Sequence, residues 1–348
     1  MTDSNIFDNK LITVIMSFYN AEKYIKDSVE SILDQTYKNI ELIVMNDGSD
    51  DESQKILDRI NDKRIKKHKN KINKGIPFCF NKLINYANGD YIAFMDADDI
   101  SHKNRLKDQL IYIEKYNLDV CGTSAQTFGN NEKKVIRVLE NYNDIKFIMI
   151  FGNPIINSSA MFKANILKNF KCNEKRISWD FDLYANLINN GYKIQNLQKI
   201  LLYSRQHNHQ DSKINFEKGI KDSFEISSDH FKQMYTIKNK NYFKNANLGY
   251  KKKIKYHEYL KFIIFLNYLV KKNNFNYLIL ELVNTNLIQK LDLSIKNYFD
   301  LIYINNKYKL KLAYKHKIFI FFKSIFQINY NGNIFKLLKF FNNLISLK

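Results

Sequence analysis

The segment YIAFMDADDI, residues 91–100, joins an apolar run to three carboxylates that lie within four positions. The apolar run has the continuous hydrophobic character of a strand buried on both faces of a parallel sheet. Asp96, Asp98 and Asp99 repel one another, so we expect a compensating partner beside them. Ligands of open α/β sheets bind beyond the carboxyl ends of the strands, which places this acidic cluster at the expected ligand edge.

The segments around this motif alternate between strand and helix patterns, which predicts an α/β fold with an open, mostly parallel sheet and flanking helices. Strands are predicted at residues 11–18, 40–47, 64–69, 90–96, 119–128 and 193–207. Helices are predicted at residues 20–35, 48–60, 73–89 (after a short loop), 103–116 and 179–192. Polar clusters follow three of the strands: SFYN (17–20), NDGS (46–49) and DADD (96–99). Neighbouring strands would bring these clusters into one crevice.

The positive charge of the 348-residue chain is concentrated at its C-terminal end. Residues 213–348 contain 25 Lys, no Arg and 8 acidic residues, which is +17 of the formal +20. Such a region favours an anionic partner, and the lack of Arg disfavours nucleic acid. We therefore predict a mainly helical, basic region with an anionic membrane surface as a candidate partner and no nucleic acid.

An amphipathic stretch closes the chain at residues 333–348, where apolar residues recur at helical spacing. It is interpreted either as a helix packed on its own domain or as a helix lying in a membrane interface. No run reaches the roughly 18–20 apolar residues needed to span a bilayer, and the polar N-terminus does not resemble a signal peptide. The three widely spaced cysteines indicate reduced thiols. The expected location is the cytoplasm, either free or peripheral on the inner face of the plasma membrane.

Asp96 and Asp98 offer two carboxylates, spaced two residues apart, at the end of a strand. Hard divalent cations prefer such oxygen ligands, and a phosphorylated ligand would complete the coordination. A single Asp at this place would be interpreted as a turn or helix cap. Three of them, with polar clusters after the neighbouring strands, predict a functional site.

These motifs together resemble the N-terminal half of family 2 inverting glycosyltransferases. The resemblance is carried by TVIMSFYNAEKYIKDSVESILDQTYKNIELIVMNDGSDDES and NKGIPFCFNKLINYANGDYIAFMDADD, and it is nearly continuous over residues 11–110. It implies a GT-A fold over residues 1–212, with a nucleotide-binding half (1–117) and an acceptor-side half (118–212), before the basic region 213–348. It also implies Mn²⁺ or Mg²⁺ as cofactor and a nucleotide-diphosphate sugar, in particular a UDP-sugar, as donor.

By resemblance, several residues of these motifs are expected to hold the nucleotide. They are Ser17, Tyr19, Asn20, Asp47, Asn73, Gly75, Asn81 and Asp96. Asp47 takes the place of the aspartate that hydrogen-bonds the base, although Asn46 stands where the family often has a second acid. Asp98 is the expected direct metal ligand, and Asp96 contacts ribose or metal. Asp99 either assists them or caps the following helix.

The catalytic base implied by the resemblance is Asp180 in WDFDLYANL (179–187), with Asp182 as the alternate. Trp179 stands where the family usually has Glu. Both acids are alternatively interpreted as first-turn residues that favour the helix dipole. Arg205 and His207, in SRQHNHQDS (204–212), either contact diphosphate or metal or belong to a solvated loop.

The resemblance implies transfer of a hexose or N-acetylhexosamine to a glycan or lipid-linked acceptor in the synthesis of bacterial surface polysaccharide or lipooligosaccharide. One alternative is a sugar-phosphate nucleotidyltransferase, which would usually carry a glycine-rich loop after the first strand, whereas SFYNAEKY has no Gly. The other alternative is a non-enzymatic protein that binds an anionic polymer.

Overall fold

The computed structural model describes residues 9–129, 133–208 and 210–234, and two further short strands at 254–255 and 291–292. The chain divides into two compact units, Met1–Met234 and Tyr235–Lys348. The amphipathic stretch predicted at 333–348 lies outside the described residues.

The described part of the first unit is built around a sheet of nine strands. In chain order they are Ile12–Phe18 (β1), Ile40–Asn46 (β2), Ile65–Lys69 (β3), Tyr91–Phe94 (β4), Ile100–Ser101 (β5), Val120–Phe128 (β6), Val135–Ile136 (β7), Met161–Lys163 (β8) and Ile194–Arg205 (β9). Across the sheet the order is β3, β2, β1, β4, β8, β6, β9, β5, with β7 paired to β6. The first four strands are parallel, as the sequence predicts, whereas β8 is antiparallel to both of its neighbours.

Helices flank this sheet. They are Ile25–Leu33 (α1), Ser53–Asp58 (α2), Ile76–Tyr86 (α3), Arg105–Tyr116 (α4), Tyr142–Ile148 (α5), Ala164–Asn169 (α6), Trp179–Asn189 (α7), Asp211–Ile214 (α8) and Phe216–Met234 (α9). Within the described ranges, none of the helices combines the length and the apolar character that crossing a membrane requires.

The apolar strands β1, β2 and β4 are buried on both faces because helices cover the sheet on each side. Ile15 and Phe94 belong to one hydrophobic cluster, and Val14 and Met16 to the other. Phe18 of β1 lies in register with Asn46 of β2, and Ile15 lies beside Phe94. This register brings the carboxyl ends of the three strands to one edge, where all three polar clusters begin.

Helix α9 belongs to the first unit, although the sequence places the end of the catalytic domain at residue 212. Its Ile226 joins the hydrophobic cluster that contains Trp179 and Leu183 of α7. The segment that follows the family resemblance therefore completes the core around α7. In the second unit, the structure describes a parallel pair of strands, Ile254–Lys255 (β10) and Leu291–Asp292 (β11).

Candidate active site

Asp47 lies just beyond β2 and holds the loop that connects β3 to α3. Its carboxylate accepts hydrogen bonds from the Asn70 side chain (2.8 Å) and from the backbone N–H groups of Lys74 (2.9 Å) and Gly75 (2.7 Å). The side chain is almost completely buried. The residue predicted to contact the base is therefore also the anchor of the loop that carries Asn73 and Gly75.

Gly48 allows the NDGS turn to press against that same loop. Its φ is +76°, and a Cβ atom at this position would lie 2.6 Å from the carbonyl carbon of Ile72. Any other residue would therefore strain the turn and displace the loop. Within the loop, the Asn73 side chain accepts a hydrogen bond from the N–H of Gly75 (3.1 Å).

The SFYN cluster at the end of β1 meets the NDGS turn through direct hydrogen bonds. The N–H of Asn20 donates to Ser49 Oγ (2.9 Å), and the N–H of Asp50 donates to Asn20 Oδ1 (3.1 Å). Ser17 is half-buried, and the Tyr19 ring is 49% exposed. The two clusters thus form one continuous rim with an aromatic ring open to a ligand.

The DADD cluster carries a concentration of negative charge that the fold brings close to Asp180. Burial raises the pKa of Asp96 well above its ordinary value, and repulsion from Asp99, Asp98 and Asp180 raises it further. The N–H of Asp96 donates to Ser158 Oγ (3.0 Å), which fixes the turn. The predicted metal residues and the predicted base therefore act on one another electrostatically in one crevice.

Arg105 is the buried cation that compensates these carboxylates, and the sequence interpretation missed it. Its side chain is fully buried, and its guanidinium donates to the Phe94 carbonyl (2.8 Å) and to Gln109 (3.0 Å). Burial lowers its pKa to about 10, while Asp99 and Asp96 oppose that shift. The sign of this role in the sequence was the pair Arg105 and Gln109, two polar residues four positions apart on the buried face of α4.

Asp99 is also buried, and burial together with repulsion from Asp98 raises its pKa to about 7. Its carboxylate accepts a hydrogen bond from the backbone N–H of Arg205 (2.9 Å), and Ser28 Oγ donates to its carbonyl (2.6 Å). These contacts do not cap the following helix α4, whose preceding residue is Asn104; instead they tie the acidic turn to Arg205 and Ser28.

Arg205 and His207 lie against the acidic turn. His207 Nε2 is 2.8 Å from Asp98 Oδ2, and Arg205 Nε donates to the Asp98 carbonyl (2.8 Å). The Arg205 guanidinium lies over the rings of Tyr24 (4.9 Å) and Phe128 (4.6 Å), which fixes it by cation–π contact. The prediction placed both residues near metal or diphosphate, and the structure brings both to Asp98.

Asp98 and His207 offer a carboxylate oxygen and an imidazole nitrogen, which a divalent cation such as Mn²⁺ accepts as ligands. In the structure these two atoms lie 2.8 Å apart in a direct hydrogen bond, which a shared cation would replace. His207 Nδ1 is buried and has no hydrogen-bond partner within the described residues, and the ring is held by its Nε2 contact with Asp98 and by packing on Tyr24. In the described part of the chain, no three side chains of His, Cys, Asp or Glu form a complete metal site. A bound ion would need further oxygens from a substrate.

Asp180 lies in the first turn of α7. Its carboxylate accepts a hydrogen bond from the Asn153 side chain (2.9 Å). Burial raises its pKa, opposed by hydrogen bonds from the N–H groups of Phe181 and of Asp180 itself and from Asn153. A carboxylate with a raised pKa, close to the acidic turn, has the properties of a general base.

The alternate acid and the unusual Trp have structural partners. Asp182 lies 3.8 Å from the Arg176 guanidinium. Trp179 is buried, with its ring 5.0 Å from that of Phe80 and 6.3 Å from that of Phe94. The residue that replaces the usual Glu is therefore part of the hydrophobic core beneath the site.

The resemblance implies that Asn81 contacts the nucleotide, whereas in the structure its side chain bonds to the segment that precedes α7. Its amide donates to the Cys172 carbonyl (3.0 Å) and to Glu174 (2.9 Å), and it accepts from the Cys172 N–H (2.8 Å). Asn81 thus pins the start of the segment that leads to α7. The three cysteines are free, as the sequence predicts, and the structure buries all three.

Comparison with sequence families gives a match over residues 13–172 to the model of Glycosyl transferase family 2. A relative from Escherichia coli, UDP-Glc:alpha-D-GlcNAc-diphosphoundecaprenol beta-1,3-glucosyltransferase WfaP, is 31% identical over 243 residues. That alignment covers 66% of this chain and 90% of the relative.

Solved structures share the architecture at low sequence identity. Staphylococcus aureus TarS 1-349 in complex with UDP-GlcNAc matches with a TM-score of 0.54 at 17% identity, covering 92% of this chain and 93% of that chain. The mannosyltransferase PcManGT from Pyrobaculum calidifontis, in complex with GDP-Man and Mn²⁺, matches with a TM-score of 0.50 at 12% identity, covering 89% and 82%. These likenesses show a common fold.

Proposed function

We propose that this chain, which belongs to glycosyl transferase family 2 and has the GT-A fold, transfers a sugar by a single inverting displacement. The donor is a UDP-sugar that carries a hexose or N-acetylhexosamine, and the acceptor is a hydroxyl of a glycan or lipid-linked glycan. Membership of this family disfavours both alternatives, the nucleotidyltransferase and the non-enzymatic binder.

The observation that carries the proposal is the meeting of Asp180 with the Asp96–Asp99 turn. The charge of Asp180 raises the pKa of Asp96, although 84 positions of sequence separate the two residues. In the proposal, Asp180 serves the acceptor and the Asp96–Asp99 turn serves the nucleotide. A displacement between donor and acceptor needs one carboxylate for each of these tasks.

In the proposed step, Asp180 accepts the proton of the acceptor hydroxyl as the acceptor oxygen forms a bond to the anomeric carbon. The bond from that carbon to the phosphate oxygen breaks, and its electron pair leaves with the nucleoside diphosphate. Attack and departure occur on opposite faces of the sugar, so the anomeric configuration inverts. A positioned general base contributes roughly 10²–10⁴-fold to such a reaction.

Asp98 and His207 are the side chains that would hold Mn²⁺ or Mg²⁺, with Asp96 as a further ligand or a ribose contact. When bound, such an ion neutralises the charge that develops on the leaving diphosphate. Arg205 helps to hold Asp98 in position, because its guanidinium donates a hydrogen bond to the Asp98 carbonyl. The Mn²⁺ complex of PcManGT supports metal use in this fold.

Asp47 is proposed to recognise the uracil base, beside the loop that it anchors. Tyr19 and Asn20 would pack around the nucleoside from the rim on the other side. The name of the relative WfaP and the UDP-GlcNAc complex of TarS support a UDP-sugar and, for WfaP, a diphosphoundecaprenol acceptor. A further Escherichia coli relative, the O-antigen biosynthesis glycosyltransferase WbnJ (32% identical over 206 residues), supports a role in bacterial surface polysaccharide synthesis.

The test is release of UDP from a panel of UDP-sugars by the purified protein, with Mn²⁺ and with EDTA. The expected result is slow, metal-dependent hydrolysis of one donor that is lost in Asp98→Ala. Lys107→Ala, an exposed residue of α4, is the control and should keep the activity. Folded protein that neither binds UDP nor hydrolyses any donor would contradict the proposal.

The basic region is proposed to concentrate the enzyme at an anionic membrane that holds a lipid-linked acceptor. Since α9 belongs to the catalytic unit, the truncation to test ends after Met234. The full chain should sediment with anionic vesicles in a salt-sensitive manner, and the truncated chain should not. Unchanged binding by a folded truncation would contradict this role, and salt-sensitive binding to RNA would favour the polymer-binding alternative.

A further inference from the structure

The turn that carries Asp180 and the segment that leads to it are held by residues outside the reacting groups. The Asn81 side chain donates to the Cys172 carbonyl and accepts from the Cys172 N–H, which fixes the start of that segment. At its end, Asp222 of α9 accepts a hydrogen bond from the N–H of Ser178 (2.8 Å). Ser178 is the residue that precedes α7, so α9 fixes the point at which the helix begins.

The contact between Ser178 and α9 extends beyond this one bond. Ser178 Oγ lies 2.8 Å from Ser223 Oγ and 3.2 Å from the Gly219 carbonyl. The Ser178 carbonyl in turn accepts the N–H of Asp182 (3.0 Å), which is a first-turn bond of α7. Asp180 therefore lies in a turn that Ser178 begins. The N–H of Ser178 donates to α9, and its carbonyl accepts a hydrogen bond from α7.

Arg176 connects α9 to the first turn of α7 through charged contacts. Its guanidinium donates to Asp222 (2.6 Å) and to Glu225 (2.8 Å) of α9 and lies 3.8 Å from Asp182 of α7. Asp222 is thus charge-paired through one carboxylate oxygen and bonded to Ser178 through the other. Because its side chain is only 13% exposed, this pair is less weakened by solvent than a surface salt bridge.

The far end of α7 is attached to the same helix. His230 of α9 is buried, and its Nδ1 lies 2.7 Å from Asn189 Oδ1 near the end of α7. Between the two polar ends, Ile226 packs in the hydrophobic cluster with Trp179 and Leu183. Helix α9 therefore holds α7 along its whole length, and the Asp222 contact sets the position of its first turn.

We propose that Asp222, paired with Arg176, is a positioning residue for Asp180, so that α9, which follows the family match at 13–172, is required for catalysis. This inference rests on the proposed function, because it takes Asp180 as the base. A displacement of about 1 Å at a reacting group can cost on the order of 10²-fold in rate. Loss of Asp222 is therefore expected to act on turnover, while the nucleotide half of the site keeps its geometry.

Kinetics of a matched pair of variants test the role. Asp222→Ala removes the acceptor of Ser178, and Glu225→Gln alters a half-exposed residue whose described bond goes to the same Arg176. With the UDP-sugar that is hydrolysed, Asp222→Ala should lower kcat by roughly 10–100-fold with UDP affinity within about twofold of wild type. Glu225→Gln should stay within about threefold of wild type. Asp222→Asn, which keeps an oxygen for Ser178, should fall between them.

Trp179 gives a readout that does not depend on activity, since it is the single Trp of the chain and follows Ser178 directly. Acrylamide quenching of its fluorescence should increase in Asp222→Ala and not in Glu225→Gln. Wild-type turnover in Asp222→Ala, or equal losses in the two variants, would overturn the proposal. If Asp222→Ala does not fold, the same criteria apply to Asp222→Asn. Full activity of Asp180→Asn would instead remove the base assignment, which separates the two failures.

Discussion

Two acidic turns meet in the candidate site, and they are held in different ways. The Asp96–Asp99 turn follows β4 directly, so the register of the parallel strands brings it to the ligand edge. The Asp180 turn begins a helix whose apolar side chains are buried in the core, and its position depends on the hydrogen bond from Ser178 to Asp222 of α9. The first position is a consequence of local topology, whereas the second is assembled from residues that are far apart in sequence.

This difference teaches where rigidity comes from in the site. The acidic turn is stabilised by the core of the sheet and by the buried Arg105, which is central to the fold. The turn of Asp180 is stabilised by a few polar contacts that individual substitutions can remove. Substitution of Arg105, which compensates the first turn, should therefore affect stability, and substitutions that loosen the second turn should affect turnover.

The largest expected effect is on turnover and concerns the base itself. Asp180→Asn removes the proton acceptor and should lower kcat by about 10²–10⁴-fold, with UDP binding nearly unchanged. The matched control is Asp182→Asn, which loses a 3.8 Å contact with Arg176 and should change kcat about fivefold or less. The measurement is steady-state UDP release. Equal losses in the two variants would contradict the choice of Asp180.

The next effect is on stability and concerns the buried cation of the acidic turn. Arg105→Met keeps the length of the side chain but leaves Asp96 and Asp99 uncompensated, so the free energy of unfolding should fall by about 3–5 kcal/mol at pH 7.5. Lys107→Met, in an exposed position of the same helix, should change it by about 0.5 kcal/mol or less. Urea denaturation measures both, and a small change in Arg105→Met would show that the carboxylates are neutralised by other means.

Stability should also depend on pH because of Asp99. Its folded pKa, about 7, lies above its ordinary value of 3.8, so the folded state binds the extra proton between these values. Stability is therefore greatest on the acidic side of this window and falls as the pH rises toward 7. The deficit of Arg105→Met should shrink at pH 5, where the carboxyl groups are protonated. A deficit that is the same at pH 5 and pH 7.5 would exclude this electrostatic cause.

Much of the nucleotide half could be predicted from the sequence, because continuous apolar strands leave few choices of topology. Strands β1, β2 and β4 lie where their residue patterns predict, and Asp47 and Asp98 follow them at the expected edge. The buried Arg105 could not be predicted with the same ease, since an Arg in a helix usually faces solvent. The only sign of its burial in the sequence is its spacing, which puts it on the same face of α4 as the apolar residues.

The contacts around α7 show why the rest could not be predicted. The bond of Asp222 to Ser178 spans 44 positions, and no local pattern encodes it. The same holds for Asn81, which the motif alone assigns to the nucleotide and the structure bonds to Cys172. The sequence predicts which residues carry chemistry, and the long-range contacts of the structure show which of them also hold other segments in place.

The smallest expected effect is a shift in the pH dependence of turnover. Asn153 donates to Asp180 and favours its charged form, so Asn153→Ala should raise the pKa of Asp180 further. The acidic limb of the kcat profile should then move to higher pH by about one unit or less. Asn186→Ala is the matched control, because its amide donates to Asp182 instead, and it should leave the limb in place. A shift to lower pH would contradict the account.

The stereochemistry of the reaction tests the central claim most directly. Proton NMR can identify the anomer of the sugar that is released first when the preferred α-linked UDP-sugar is hydrolysed. A single displacement, with Asp180 activating the attacking oxygen opposite the diphosphate, predicts that the β-anomer forms first and then equilibrates. Initial formation of the α-anomer would mean retention of configuration and would contradict the role assigned to the two acidic turns.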